Sequence, residues 1–304
     1  MTISQTVPIR DGDVYNSRTP SFTLSCASMS DSSQSSSRSY TRADSDSAFL
    51  QRDELRAARL QLEWLKSELV QQDEGIESTV VVFGSARLLE PAVAREKVRQ
   101  AELELAHAPD DPEKIRASKI AKNQLLLAPY YDEAREFGHL VSSACQLDGR
   151  CEYVVVTGGG PGIMEAGNRG AADVGAKSIG LNIDLPFEQA PNRYITPNLC
   201  FEFRYFALRK MHFLYRAKAL VVFPGGFGTM DELFETLTLL QTGKVKDVSV
   251  ILIGKAYWED LINWKKFVEF GLISPHDLSL FHYAETAGEA WEIIVREHQR
   301  ETNS

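Results

Sequence analysis

The sequence predicts an α/β protein built on a doubly wound parallel sheet. Three observations carry that expectation. Short β-branched runs such as Thr79-Val80-Val81-Val82-Phe83 are apolar on both faces, which suits strands covered from two sides. These runs alternate with longer segments of helical spacing. Three glycine-rich turns, beginning at Gly84, Gly158 and Gly225, stand where a strand passes into a helix.

Residues 1–47 read as a tail. Fourteen of the first fifty residues are serine, a composition that buries too little apolar area to offset chain entropy, so disorder is expected there. Residues 48–75 read as an amphipathic helical extension. Leu55, Ala58, Leu62, Leu65 and Leu69 recur at alternating steps of three and four and form one apolar stripe, and Gly75 is placed to stop the helix. The stripe covers about two heptads, which suits packing onto the main domain or a partner subunit better than an independent coiled coil.

Residues 76–304 read as the main domain. Strands are expected at 79–83, 153–156, 177–184, 219–223 and 248–253, with a last one at 278–283. Helices are expected at 91–107, 112–127, 130–145, after Gly162 to about 174, and at 205–216, 231–241, 258–270 and 288–298. Ligands of such sheets sit at the carboxyl ends of the strands, where all three glycine turns fall.

Composition excludes several classes. With 33 basic against 42 acidic residues the net charge is −9, so no nucleic-acid partner is expected. No apolar run reaches the ~20 residues of a membrane span, and no apolar leader core is present. The cysteines, Cys26, Cys145, Cys151 and Cys200, make no CxxC pair, which suits reduced thiols and a cytoplasmic location.

The chemistry concentrates in the turns. The third, Pro224-Gly225-Gly226-Phe227-Gly228-Thr229-Met230-Asp231-Glu232, aims the amides of Gly226, Gly228 and Thr229 at one point in front of a helix, a phosphate cradle. Asp231 is a first-turn acid. Glu232, one turn past Thr229, is the candidate catalytic carboxylate. The turn lacks the Lys-Ser/Thr ending of a P-loop and no metal site is evident, which disfavours triphosphate hydrolysis. The second turn, Gly158 to Glu165, contributes Gly159, Gly160, Gly162, Met164 and Glu165. It departs from GxGxxG at Ile163, although Asp184 ends the next strand where a ribose-binding acid would stand. The first turn offers Gly84 and Ser85 as a wall of the site. A loop between Pro186 and Pro191, with Glu188, suits a cover over it. Arg209 and Lys210 are the central charges of an aromatic helix, and Arg209 suits bidentate contact with phosphate or carboxylate.

At these residues the chain resembles the LOG (Lonely Guy) family of cytokinin riboside 5′-monophosphate phosphoribohydrolases and their bacterial nucleotide-nucleosidase relatives, often labelled lysine decarboxylases. The family pattern PGGxGTxxE is met by Pro224 to Glu232, its glycine run with methionine by Gly158 to Met164, and its Arg-Lys pair by Arg209-Lys210. The resemblance covers about residues 78–280. The charged insertion at 90–128 is similar to that of the longer bacterial members.

The resemblance implies a Rossmann-like homo-oligomer, dimer or hexamer, acting without a cofactor. It implies cleavage of the N-glycosidic bond of a nucleoside 5′-monophosphate, AMP or an N6-modified cytokinin-type AMP, to free base and ribose 5-phosphate. The family's functional arginine and glutamate fall on Arg209 and Glu232. In the mechanism expected, the cradle anchors the phosphate, and Glu232 stabilises the oxocarbenium centre or takes a proton from water. Arg209 holds substrate and carboxylate in register and keeps Glu232 ionised. The alternatives are a nucleotide-binding regulatory protein without turnover, a nicotinamide dehydrogenase, and a pyridoxal-phosphate decarboxylase with Lys210 as its Schiff-base lysine.

Overall fold

A computed structural model of the chain describes residues 34–146, 151–184 and 190–302. Of the tail expected at residues 1–47, residues 1–33 lie outside the described residues, while 34–47 include a 3₁₀ turn, Arg38–Tyr40, where disorder is expected. The chain forms two compact units that part between Leu55 and Arg56. The first holds the short helix α1 (Ser47–Leu50), whose N-cap Asp46 accepts the Phe49 amide at 2.9 Å.

The second unit begins with α2 (Arg56–Asp73) and continues through β1 (Thr79–Phe83), α3 (Pro91–His107), α4 (Pro112–Leu127), α5 (Pro129–Cys145), β2 (Val154–Thr157), α6 (Ile163–Asp173), β3 (Ser178–Ile183) and β4 (Cys200–Phe203). Then come α7 (Phe206–Tyr215), β5 (Ala217–Val222), α8 (Phe227–Gln241), β6 (Ser249–Ile253), α9 (Lys255–Leu261), α10 (Trp264–Glu269), β7 (His282–Ala284) and α11 (Ala287–Thr302). The seven strands form one sheet in the order β4-β3-β2-β1-β5-β6-β7, every neighbouring pair parallel. The predicted doubly wound parallel sheet is the observed one. No helix among the described residues is long and apolar enough to cross a membrane.

The pleat divides the core into two layers. Val81 and Phe83 of β1 pack towards Phe213 of α7 and Leu233 of α8, while Val80 and Val82 pack towards Phe137 of α5 and Ile163 of α6. Side chains of this size each stabilise the fold by about 1.5–3 kcal/mol when fully buried. Helices α5 and α6 cross closely because they meet at glycines. A Cβ on Gly138 would overlap the Gly167 carbonyl oxygen, and one on Gly170 would overlap that of Arg135.

Four expectations need correction. Residues 200–203, where no strand is expected, form an edge strand, β4; Phe201 and Phe203 turn inward while Glu202 is exposed, the alternation of a strand with one solvated side. Residues 275–280 are a 3₁₀ turn with a Ser274–Asp277 capping box, so the last strand begins at His282. The helix expected at 258–270 is two helices, because Ile262 is extended and Asn263 caps a new start by accepting the Lys266 amide. Finally, of the two packings expected for the leucine stripe of α2, the one onto the main domain is not observed. Leu62, Leu65 and Leu69 are about half exposed, and the buried face carries Ser67, Glu68 and Gln71.

Replacing Gly170 by alanine is expected to cost about 1–3 kcal/mol, because a backbone carbonyl cannot step aside as a flexible side chain would. Gly228→Ala, where the same atom meets nothing within 4 Å, serves as control and is expected to change stability by less than about 1 kcal/mol. Urea unfolding of the two variants checks both.

Candidate active site

The chain starts at the centre of the sheet. It winds outward through β2, β3 and β4, then returns to place β5 on the other side of β1. Between the carboxyl ends of β1 and β5 the following segments therefore diverge, and a crevice must open. Hydrogen bonds hold its walls together. The Phe223 amide donates to the Phe83 carbonyl at 2.8 Å, the Ser85 amide to Pro224 at 3.0 Å, and the Ile163 amide to Ser85 at 3.2 Å. Gly84 permits the last contact, since a Cβ there would lie 2.6 Å from Ile163 Cγ2. The resulting cleft has a volume of about 1020 Å³.

Its floor is the start of α8. The helix begins at Phe227, four residues before the expected Asp231, with Gly226 as N-cap and no side-chain cap. The first free intrahelical donors are thus the amides of Phe227, Gly228 and Thr229, and the helix dipole adds to them roughly half a positive charge. The early start also fixes the acid: Thr229 and Glu232, three residues apart, share the buried face of the first two turns. Two contacts hold the turn. Tyr257 of α9 donates its hydroxyl to the Gly225 carbonyl at 2.6 Å, and Gly225 packs so tightly on Thr229 that a Cβ would overlap its Oγ1.

Arg209 and Glu232 both line this cleft, and neither forms an ion pair or a side-chain hydrogen bond to the other among the described residues. Arg209 is held by its Nε, which donates to the Leu181 carbonyl at 2.7 Å, and its guanidinium stands over the Phe213 ring at 5.1 Å. Burial pulls its pKa down, against the charge of Glu232. For Glu232, only 8% exposed, burial is the dominant effect and pushes the carboxyl up to about 7. Lys210 and then Arg209 draw it down, while Glu235 and Asp231 push it further up. The expectation that Arg209 keeps this carboxylate ionised is therefore corrected: desolvation outweighs the neighbouring cations, and both forms are present near neutrality.

The cleft brings together Gly84, Ser85, Met164, Arg209, Gly225, Gly226, Gly228, Thr229, Asp231 and Glu232. Other candidates stand elsewhere. Glu165 turns to α5, where its Oε1 accepts the Tyr131 hydroxyl at 3.0 Å. Gly159 and Gly160 are packed under Asn192, whose Nδ2 donates to their carbonyls at 3.2 and 3.1 Å, and Gly162 lies against the Ser85 and Ala86 backbone. These glycines allow close packing of loop on loop. Lys210 faces the outside of α8, its Nζ 2.7 Å from Asp231 and 2.9 Å from Glu235. Glu188 lies outside the described residues.

Sequence reasoning missed Gly158, which is what lets Arg209 in: a Cβ there would sit 2.5 Å from the Arg209 Nη2 and 2.8 Å from the Met164 sulfur. It also missed Tyr257, and the apolar rim of Phe206, Phe227, Leu261 and Ile262. Tyr257 follows β6 at the same edge of the sheet, so the strand-end rule contained the signal; for the rim no local signal existed.

A carboxyl held at about 7 in the fold and near its ordinary 4.5 when unfolded stabilises the protein below the lower value and loses that contribution as pH rises through the higher. The isosteric Glu232→Gln has nothing to ionise. It is expected to be more stable than the unaltered chain by about 3 kcal/mol at pH 8 and by less than about 1 kcal/mol at pH 5. Chemical unfolding at the two pH values measures this; equal stabilities at both would remove the burial argument.

Residues 164–294 match the family model described as "Possible lysine decarboxylase". Among characterised relatives, the Arabidopsis thaliana protein cytokinin riboside 5′-monophosphate phosphoribohydrolase LOG3 is 32% identical over 165 residues, spanning 53% of this chain and 72% of the relative. LOG1 of the same plant is 32% identical over 173 residues, spanning 55% and 74%. Among solved structures, a Moco carrier protein from Chlamydomonas reinhardtii superposes with a TM-score of 0.44 at 17% identity, over 74% of this chain and 99% of that one. With the β1–β5 cleft, the PGGxGTxxE turn at its floor and the relatives spanned over most of their length, the chain belongs to the LOG family.

Proposed function

We propose that the chain hydrolyses the N-glycosidic bond of a nucleoside 5′-monophosphate, giving the free base and ribose 5-phosphate. The observation that carries this is one cleft that joins an uncapped helix start to a half-buried arginine and a buried carboxyl, neither paired with the other. The amides of Phe227 to Thr229 suit the phosphate. Binding energy gathered there orients the sugar, so that C1′ faces Glu232. As the base departs, positive charge grows on C1′ and the ring oxygen. The ionised Glu232 carboxylate stabilises that charge and takes a proton from the attacking water, a task matched by a pKa near the working pH. Arg209 engages the anionic substrate, and its charge offsets part of the effect of burial on Glu232.

The relatives are named for cytokinin riboside 5′-monophosphate, and an adenine with an apolar N6 substituent suits this cleft. Its mouth exposes Phe206, Phe227 and Leu261, a wider apolar surface for an N6 substituent to cover beyond the face of the adenine ring. The decarboxylase alternative fails on its lysine. A Schiff-base lysine needs a neutral amine. Burial works against the charge of Lys210, but its bonds to Asp231 and Glu235 outweigh burial and hold its pKa above the ordinary value.

The test is a panel of nucleoside 5′-monophosphates, with and without N6 substituents, scored chromatographically for free base. Base release is expected from monophosphates and not from the matching nucleosides, with a rate that rises as pH passes through about 7. Glu232→Ala is expected to lower kcat by about 10²–10³-fold while nucleotide binding survives. Tight nucleotide binding with no base released by the unaltered chain would contradict the proposal and favour a regulatory binder.

A further inference from the structure

We propose that α2 acts on the cleft from outside it, with Glu63 as the positioning residue that sets Arg209 in place by binding the two backbone amides at the entrance of α7. The proposal rests on the reading of the cleft given above. Helix α7 carries Arg209 as its fourth residue and has no side-chain cap of its own. Its missing acceptor comes from α2, more than 140 residues earlier in the chain. Glu63 Oε1 accepts the Tyr205 amide at 3.0 Å, and the Arg204 amide lies 3.2 Å from both carboxylate oxygens. A negative charge at that end also suits the α7 dipole. The Tyr205 carbonyl in turn accepts the Arg209 amide at 3.2 Å, so one helical turn separates the clamp from the cleft.

Two further contacts make the clamp rigid along α7. Trp64 stacks on His212 with ring centroids 4.1 Å apart. Glu68, buried, receives the Arg216 guanidinium through two bonds of 2.9 and 2.6 Å just past the C-terminal end of the helix. The polarity of the arrangement argues for placement rather than adhesion. α2 has a leucine stripe available for burial, yet Leu62, Leu65 and Leu69 stay half exposed while the face that carries Glu63, Trp64 and Glu68 is docked. Desolvating carboxylates gains little net stability compared with apolar packing, but it fixes geometry, since each bond is satisfied in one orientation only. Glu63, Trp64 and Glu68 thus hold the start, middle and end of the helix that delivers Arg209.

The test follows the carboxyl carbon of Glu232 by NMR in the full chain labelled with carbon-13 glutamate, as a function of pH, alongside base release. In Glu63→Ala the Arg209 side chain loses its fixed place, and the Glu232 midpoint is expected to move above its value in the unaltered chain. Base release is expected to fall on the order of 10²-fold in kcat, the penalty of a small misplacement. Glu63→Gln, which keeps an oxygen acceptor, is expected to restore most of both. In an Arg209→Ala background the Glu63 change should add nothing. An unmoved midpoint in folded Glu63→Ala, or a shift that adds in full to that of Arg209→Ala, would overturn the proposal. If Glu63→Ala does not fold, Glu63→Asp, whose shorter carboxylate cannot reach both amides, is read by the same two criteria. The midpoint needs no turnover. A chain that releases no base but shows the coupled shift would overturn the hydrolytic reading and keep the clamp.

Discussion

The burial of one carboxyl group, Glu232, without a bonded counter-ion among the described residues is the constraint on which the rest depends. Glu232 sits on the inner face of α8, where water is largely excluded, and its pKa rises because the charged form has lost its solvation. Three separate elements keep it so. The strand order forces a crevice between β1 and β5. The glycines of the third turn start α8 early enough to carry residue 232 into that crevice. Lys210 is tied to Asp231 and Glu235, so its ammonium influences Glu232 through space and does not quench it by contact. A structural role would be served better by an ion pair or an apolar residue. Groups whose environment holds them off their ordinary pKa in a cleft are those placed to exchange protons.

Most of the sheet was legible in the sequence because parallel strands buried on both faces leave near-continuous β-branched runs, as at residues 79–83 and 249–253. The edge strand β4 was not, since Cys200-Phe201-Glu202-Phe203 buries only alternate residues and follows a proline-rich loop. The split between α9 and α10 was hidden because apolar spacing continues through Ile262, while the break comes from its extended backbone and the Asn263 cap. Leucine spacing located α2 but not the face that meets the main domain, because periodicity reports which residues align and not which side meets the rest of the chain.

The candidate site was legible for a similar reason. Glycine turns at strand ends mark where backbone must approach something closely, but they do not say what. At Gly225 the neighbour is Thr229 of its own cradle; at Gly158 it is the guanidinium of Arg209; at Gly159 and Gly162 it is the side chain of Asn182 and the backbone of the first turn. The same residue type serves a site in the first two cases and loop packing in the others. Glu165 illustrates the limit from the acid side, being a first-turn carboxylate that bonds Tyr131 across to α5. Contacts made over such sequence distances, like Glu63 to Tyr205, follow from the fold and leave no local pattern.

The most direct measurement is a crystal structure of Glu232→Gln bound to an uncleaved nucleoside 5′-monophosphate. The account predicts phosphate oxygens on the amides of residues 227–229, the Arg209 guanidinium against the ligand, and the anomeric carbon facing the side chain of residue 232. A phosphate seated away from the start of α8, or a sugar whose anomeric carbon points away from that side chain, would contradict it.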